Sequence, residues 1–225
     1  MCVIFYQTKK DKLMTKEEFC WMANKNSDGM GWMANIGGKI HYQKGYFNVN
    51  DFYKDYLKIK KNPKTIDIAC HFRIGTGSKC DKANCHPFPI TKNEAYIKRE
   101  KGVGDVMIMM NGIIGRSTLE FSDTALYTMN KLTKYYNQDK RFFLHLTRTQ
   151  EMLFENEISG NRFVFMSKDG SRLFGKGWSD YEGKAKVSNR YFIPYKPKTT
   201  TKTYMLENGQ KLYYDANLNE YFVAN

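Results

Sequence analysis

A cysteine stands at position 2, directly after Met1, and it is the first residue of the chain able to act as a nucleophile. Cleaving an acyl or amide bond needs an attacking atom, a base to activate it, donors for the oxyanion and an anchor for the substrate. Once Met1 is removed, Cys2 can supply the first two together. Its thiolate attacks, while its own α-amine, with an ordinary pKa of about 7.7–8.0, takes and returns a proton near neutral pH. No histidine is then required. A competing use of the same residue types is metal binding, since Cys70-His71, Cys80 and Cys85-His86 offer thiolates and imidazoles. Their adjacent Cys-His pairs and the missing Cys-x-x-Cys spacing fit zinc badly, and on a strand Cys70 and His71 point to opposite faces. No metal is expected.

Other polar segments follow Cys2 in order. They are Asn26-Ser27-Asp28-Gly29-Met30-Gly31-Trp32, His71-Phe72-Arg73-Ile74-Gly75-Thr76-Gly77, Asn84-Cys85-His86-Pro87-Phe88, Met110-Asn111-Gly112-Ile113-Ile114 and Ser122-Asp123-Thr124. Taken singly, each has an ordinary explanation: Arg73 as an ion-paired strand residue, Asp123 as an acid in a helix's first turn, Asn111-Gly112 as a turn. Taken together, the ordered set resembles the class II glutamine amidotransferases, whose glutaminase domains occur in amidophosphoribosyltransferase and asparagine synthetase. The matching family patterns are Asn-x-Asp-Gly-x-Gly, His-x-Arg-x-x-Thr-x-Gly, Asn-x-His-Pro-Phe, His-Asn-Gly-x-Ile and Ser-Asp-Thr-Glu. Met110 stands where the family usually has histidine, and Ala125 where it has glutamate. The stretch from Trp178 to Asn189, ending in Ser188-Asn189, is similar to the closing strands of small stand-alone members. The resemblance spans roughly residues 2–193.

The resemblance implies an α+β chain with the four-layer αββα sandwich of N-terminal nucleophile hydrolases. It implies glutamine as substrate, Cys2 as nucleophile, and the Asn111 side-chain amide with the Gly112 N–H as the oxyanion hole. Arg73 would grip the α-carboxylate of glutamine and Asp123 its α-ammonium, so opposite charges read the two ends of a zwitterion. Thr76 and His86 would complete the pocket. No cofactor is implied. Met110 neighbours Asn111 on a strand and is expected to point away from it, which changes the surroundings of the hole without removing it. A retained Met1 would block the amine. Residues 1–195 are expected to form the amidotransferase domain and residues 196–225 a linker with a small β-meander tail. That tail is too short for a synthase domain, so ammonia would pass to a separate acceptor enzyme, in nucleotide or nucleic-acid modification given the charge.

These side chains need rigid elements behind them. Residues 2–7 are β-branched and aromatic and suit a buried strand at the start of the chain. Thr15 and Glu18 have capping-box spacing for a short helix, which the Asn24–Gly29 segment ends. Gly37-Gly38 between alternating segments over 31–44 marks a hairpin. Residues 50–60 have the spacing of an amphipathic helix, closed by Pro63. Strands are expected over 66–74 and 106–110, with a long loop between them carrying Cys80, Cys85 and His86. Helices are expected from Ser122 to about Asn137 and over 141–154, the latter with Phe142, Leu146 and Leu153 facing inward. Strands follow at 163–166, 173–174 and 190–193. Lys196 to Thr203 reads as a linker, and Tyr204–Leu206, Leu212–Tyr214 and Tyr221–Val223 as a meander joined at Asn208-Gly209. Strands, then helices, then strands argue against a doubly wound parallel sheet, and no phosphate loop is present.

The composition agrees with one sizeable core: 225 residues, 41% hydrophobic and 15% aromatic. No long apolar run or secretory leader stands out, and the five cysteines are an odd number, so a cytoplasmic protein with reduced thiols and no membrane partner is expected. A net charge of +13 would draw anionic partners, although the lysines are dispersed as on a solvated surface. A catalytically silent module that binds nucleic acid or protein through this charge is therefore the alternative. Heavy use of Lys, Asn, Tyr and Met fits an A/T-rich genome such as that of a phage or low-GC bacterium.

Overall fold

Val3, Ile4 and Phe5 are fully buried, which is unusual for a chain start and follows from where the first strand lies. The computed structural model describes residues 1–75, 77–194, 202–206, 210–215 and 220–223. In it β1 (Val3–Thr8) is followed by α1 (Lys16–Lys25), β2 (Met30–Ile36), β3 (Lys39–Tyr46), α2 (Val49–Lys61) and β4 (Thr65–Phe72). The Thr15 hydroxyl accepts from Glu18 N while the Glu18 carboxylate accepts from Thr15 N, the expected capping box. Gly37 and Gly38 turn the hairpin with φ of +61° and +80°, which favours glycine at both places.

The loop expected between the strands contains further elements that its mixed pattern hid. They are β5 (Phe88–Pro89), α3 (Glu94–Lys98) and β6 (Lys101–Gly104), ahead of β7 (Val106–Asn111). The strand expected over 66–74 stops at Phe72, because Arg73 already bonds the Asp28-Gly29 turn. The helix from Ser122 forms as α4 (Asp123–Tyr127), a π turn (Thr128–Leu132) and α5 (Thr133–Gln138). The widened turn coincides with two threonine hydroxyls that bond backward, Thr128 to Thr124 O and Thr133 to Thr128 O.

Two expectations are corrected. In place of a helix over 141–154 there is a 3-10 turn (Phe142–Leu144) and then α6 (Arg148–Glu157), whose start is fixed by a Thr147–Gln150 capping box. That register buries Phe154 and leaves Leu153 60% exposed, so Leu153 does not face inward. The strand expected at 190–193 is a turn, in which Asn189 Oδ1 accepts from Tyr191 N. Strands there are β8 (Arg162–Ser167), β9 (Gly170–Phe174), β10 (Ser179–Tyr181) and β11 (Ala185–Val187).

One sheet has the order β10-β11-β1-β4-β2-β3-β6 and a second the order β5-β7-β8-β9, with every pairing antiparallel. Alternation along each strand feeds three cores. Phe5, Phe72 and Cys70 of the first sheet pack with Phe19 of α1 and with Phe52 and Tyr56 of α2. Ile4, Met33 and Ala69 of the same sheet join Met107, Met109 and Val164 of the second. Ile108, Phe163 and Phe165 turn the other way, toward Ala125, Leu132 and Phe154 of the helices.

The chain divides into the units Met1–Ile193 and Pro194–Asn225. In the second, β12 (Lys202–Met205), β13 (Lys211–Asp215) and β14 (Glu220–Val223) form a three-stranded antiparallel sheet. Lys202 and Thr203 thus belong to a strand and not to the linker. The rest of that linker, 196–201, and the Asn208-Gly209 turn lie outside the described residues, as does residue 195. Among the described residues, no helix is long and apolar enough to cross a membrane.

Lys44 of β3 is 2% exposed and holds the segment that follows Arg73. Its ammonium donates to Ala83 O and Ile97 O, both at 2.7 Å, and sits 4.2 Å from the centre of the Phe88 ring. Replacing it leaves two carbonyls without a donor. Lys44→Met is expected to cost about 2 kcal/mol in urea unfolding, since an unmet buried acceptor costs ~1–3 kcal/mol. An unchanged midpoint would contradict this anchoring.

Candidate active site

The antiparallel register sets Val3 opposite Phe72, so residue 2 runs past the end of β4 and meets the backbone of Ile74. Ile74 N donates to Cys2 Sγ at 3.3 Å, and the thiol donates to Ile74 O at 3.5 Å. Burial pushes the Cys2 thiol above its ordinary value. The Ile74 N–H, the terminal ammonium and Arg73 oppose that rise, while Asp123 adds to it. The resting sulfur is therefore protonated at neutral pH, so it would need a base to act as a nucleophile. The backbone is held as well, because Asn189 Nδ2 donates to Cys2 O at 2.7 Å.

Arg73 follows β4 and is 3% exposed. Its Nη2 donates to Ser78 Oγ at 2.8 Å and its Nη1 to Asp28 O at 3.3 Å. Among the described residues no carboxylate forms an ion pair with it, so its charge is buried and not neutralised. The Asp28-Gly29 turn fixes this strand end. Asp28 N donates to Arg73 O, Arg73 N donates to Gly29 O, and Asp28 Oδ2 accepts from Gly75 N at 2.7 Å. Gly31 is needed for close approach: a Cβ there would lie 2.0 Å from His86 O.

Asp123 opens α4 behind its Ser122 cap and is 7% exposed. Its Oδ2 accepts from Ile114 N at 2.7 Å and its Oδ1 from Thr124 N at 2.8 Å. It too has no ion-pair partner among the described residues. Asn111 ends β7 fully buried, and its Nδ2 donates to Ser188 Oγ at 2.8 Å. Gly112 takes a φ of +142°, and a Cβ there would meet Asn161 Oδ1 at 1.9 Å.

His86 is buried with both ring nitrogens unpartnered among the described residues, its ring 4.1 Å from that of His71. Burial holds His86 well below the usual imidazole range and brings His71 down to about 3. Neutral His71 donates from Nε2 to Met110 O at 3.1 Å, since a carbonyl can only accept. Met110 packs its side chain into the helix-side core while also bordering the site.

Cys2 thus stands between two recesses. One, with a volume of only about 20 Å³, is lined by Cys2, Arg73, Met110, Gly112, Asp123 and His86 among others. The other, about 310 Å³, is lined by Met1, Cys2, Asn111, Gly112 and Asn161 among others. The structure therefore brings together Cys2, Arg73, His86, Asn111, Gly112 and Asp123, whereas Thr76 lies outside the described residues. Asp28, Ser78, Ser188 and Asn189 were not singled out for a role by the sequence: Asp28, Ser188 and Asn189 act through hydrogen bonds to distant residues, and Ser78 through one to the nearby Arg73 guanidinium. Among the described residues no group of three His, Cys, Asp or Glu could hold a metal ion, and Cys70 packs on the helix side of its sheet.

No family model and no curated protein matches the chain. Among solved structures that do match is glutamine phosphoribosylpyrophosphate amidotransferase from B. subtilis complexed with ADP and GMP, at 15% identity and a TM-score of 0.40. The alignment covers 75% of this chain and 35% of that one, so the chain spans about a third of that protein's length. So distant a likeness adds nothing to the geometry just described.

Thiol chemistry offers a check. Cys80 is exposed, whereas Cys2 is partly buried with a raised pKa. In the chain that retains Met1, iodoacetamide is expected to label Cys80 first at pH 7.5. Labelling of Cys2 should accelerate as pH rises toward its thiol pKa, read by peptide mass spectrometry. Faster labelling of Cys2 at neutral pH would contradict a protonated resting sulfur.

Proposed function

We propose that the chain, once trimmed of Met1, is a glutaminase of the class II amidotransferase type with the αββα fold of N-terminal nucleophile hydrolases, delivering ammonia to a separate acceptor enzyme. One observation carries the reading: Cys2 borders the same recess as Arg73 and Asp123, two buried charged residues of opposite sign that have no ion-pair partner among the described residues. A free amino acid presents the complementary carboxylate and ammonium. In this reading the α-amine of Cys2 takes the thiol proton, and sulfur attacks the side-chain amide carbon of glutamine. Asn111 and the Gly112 N–H stabilise the oxyanion. The ammonium returns the proton to the leaving nitrogen, which departs as ammonia. Water then hydrolyses the thioester, giving glutamate and regenerating the thiol. Arg73 and Asp123 hold the substrate's charged ends, and Thr76 and His86 complete the pocket.

The reading of a silent basic module is favoured by the net charge of +13, which would draw an anionic partner whether or not Cys2 reacts. A protein that keeps Met1 has no free amine on Cys2 and no turnover. It would bind an anionic partner in a salt-sensitive way that survives Cys2→Ala.

Intact mass separates the two, followed by glutaminase assay of the trimmed protein. Ammonia release is expected from wild type and none from Cys2→Ala. Arg73→Ala should raise KM roughly 10- to 100-fold, the weight of a charge-assisted hydrogen bond. The rate should climb with pH as the α-amine loses its proton, near about 7.7–8.0, because the base must be neutral. An imidazole-like step at lower pH is not expected, since His71 and His86 are held uncharged by burial. A correctly trimmed, folded sample without turnover would sink the glutaminase reading.

A further inference from the structure

The contact between Asn111 and Ser188, both fully buried, leaves hydrogen-bonding capacity unmatched. Asn111 Nδ2 donates to Ser188 Oγ at 2.8 Å, and Ile4 N donates to the same oxygen at 2.9 Å. A hydroxyl oxygen has two lone pairs and one proton. Here both lone pairs are taken, and Asn111 Oδ1 finds no partner among the described residues. The two ends of an amide are nearly equal in size, and its terminal torsion is broadly two-fold. A half-turn of the Asn111 amide therefore preserves the packing. It lets Ser188 donate its proton to Oδ1 while the Ile4 N–H keeps its bond. Nδ2 then occupies the place where Oδ1 had nothing to accept, with protons available to a new acceptor. Asn111 borders the recess that Cys2 and Gly112 also line.

We propose that Ser188 is a positioning residue that holds Asn111 with its amide nitrogen turned toward the developing oxyanion, an inference that rests on the glutaminase reading. A hydroxyl suits the task because it accepts from Nδ2 in the resting orientation and donates to Oδ1 in the turned one. A methyl group serves neither, and threonine serves both. The neighbouring residue extends the device, since Asn189 Nδ2 holds Cys2 O at 2.7 Å. Ser188 N also donates to Ile4 O at 2.9 Å, continuing the register in which Phe5 faces Val187. One dipeptide after β11 thereby fixes the nucleophile's carbonyl and the oxyanion donor relative to each other. Oxyanion stabilisation needs a donor within ~2.7–3.1 Å of the charge, so the setting of this amide matters.

The test uses the full chain trimmed of Met1, as wild type, Cys2→Ala, Ser188→Ala and Ser188→Thr. Ser188→Ala is expected to lower kcat at least about 10-fold, as a misplaced catalytic group does, with KM within about twofold. Ser188→Thr should recover most of that loss. Thermal melting is followed in parallel, because Ser188→Ala also strips the Ile4 N–H of its acceptor. Should that variant fail to fold, Ser188→Cys, which keeps a weak donor and acceptor, replaces it and is expected to fall between alanine and threonine. Wild-type kcat in a folded Ser188→Ala protein would overturn the proposal. Silence of the wild type itself would count against the glutaminase reading, and a second measurement then decides this one. In 1H–15N spectra the side-chain amide pair of Asn111, assigned by its loss in Asn111→Asp, should move in Ser188→Ala and return in Ser188→Thr. A pair that does not move would overturn the positioning role whatever the kinetics.

Discussion

The pairing of β1 between β4 and β11 is the constraint on which the rest depends. A terminal strand ordinarily frays, because few contacts offset the entropy of ordering it. Here it lies inside a seven-stranded sheet, with Val3, Ile4 and Phe5 fully buried and hydrogen-bonded neighbours on both sides. Phe5 faces one core and Ile4 another, so a register slip of one residue would expel both. That strictness extends to residue 2. Its sulfur reaches Ile74 because the ladder from Thr8–Asp67 to Val3–Phe72 has no bulge to absorb an error.

Around this fixed point the chain buries two charged side chains, Arg73 and Asp123. Arg73 and Asp123 are each more than nine-tenths buried and lack ion-pair partners among the described residues. Isolated buried charges cost several kcal/mol unless hydrogen bonds offset the lost hydration. The offsets are neutral: a hydroxyl and a carbonyl for the guanidinium, two backbone N–H groups and the Thr124 hydroxyl for the carboxylate. Those donors and acceptors also fix orientation, so both groups are set before a ligand arrives. In the proposed reading, a zwitterion entering between them supplies the missing counter-charges, so there the pair weighs more than either residue alone.

What the sequence revealed and what it hid separate along physical lines. Local rules carried far: the Thr15–Glu18 box and the Gly37-Gly38 turn depend on neighbours within a few residues, and the strand expected over 2–7 is found at Val3–Thr8. Elements held by tertiary contact were missed. Lys101–Gly104 carries no alternating pattern and is a strand only because β3 lies beside it. The inward face placed at Leu153 failed because the capping box at Thr147 sets the helix phase, which the apolar spacing alone did not reveal. Around Cys2, the residues that border the two recesses stand out in the sequence by type and order, whereas the groups that hold them do not. Asn189 lies 187 residues from the carbonyl it bonds, and no local pattern announces such a contact.

The state of Cys2 ties these levels together. Burial raises its thiol pKa, which by itself would make a poor nucleophile. The same burial excludes water and strengthens whatever charge interactions the site contains. A base supplied by a distant side chain would have to be buried as well, and the two histidines nearby are driven too far from their ordinary range to accept a proton near neutrality. If Cys2 is the nucleophile, as proposed, an amine on the same residue escapes that conflict, because it is covalently close and needs no separate pocket. Met1 then controls two things at once: its peptide bond removes the amine's basicity, and its side chain borders the recess beside Gly112. In the proposed glutaminase reading, loss of Met1 would free that amine and clear part of the recess in the same step.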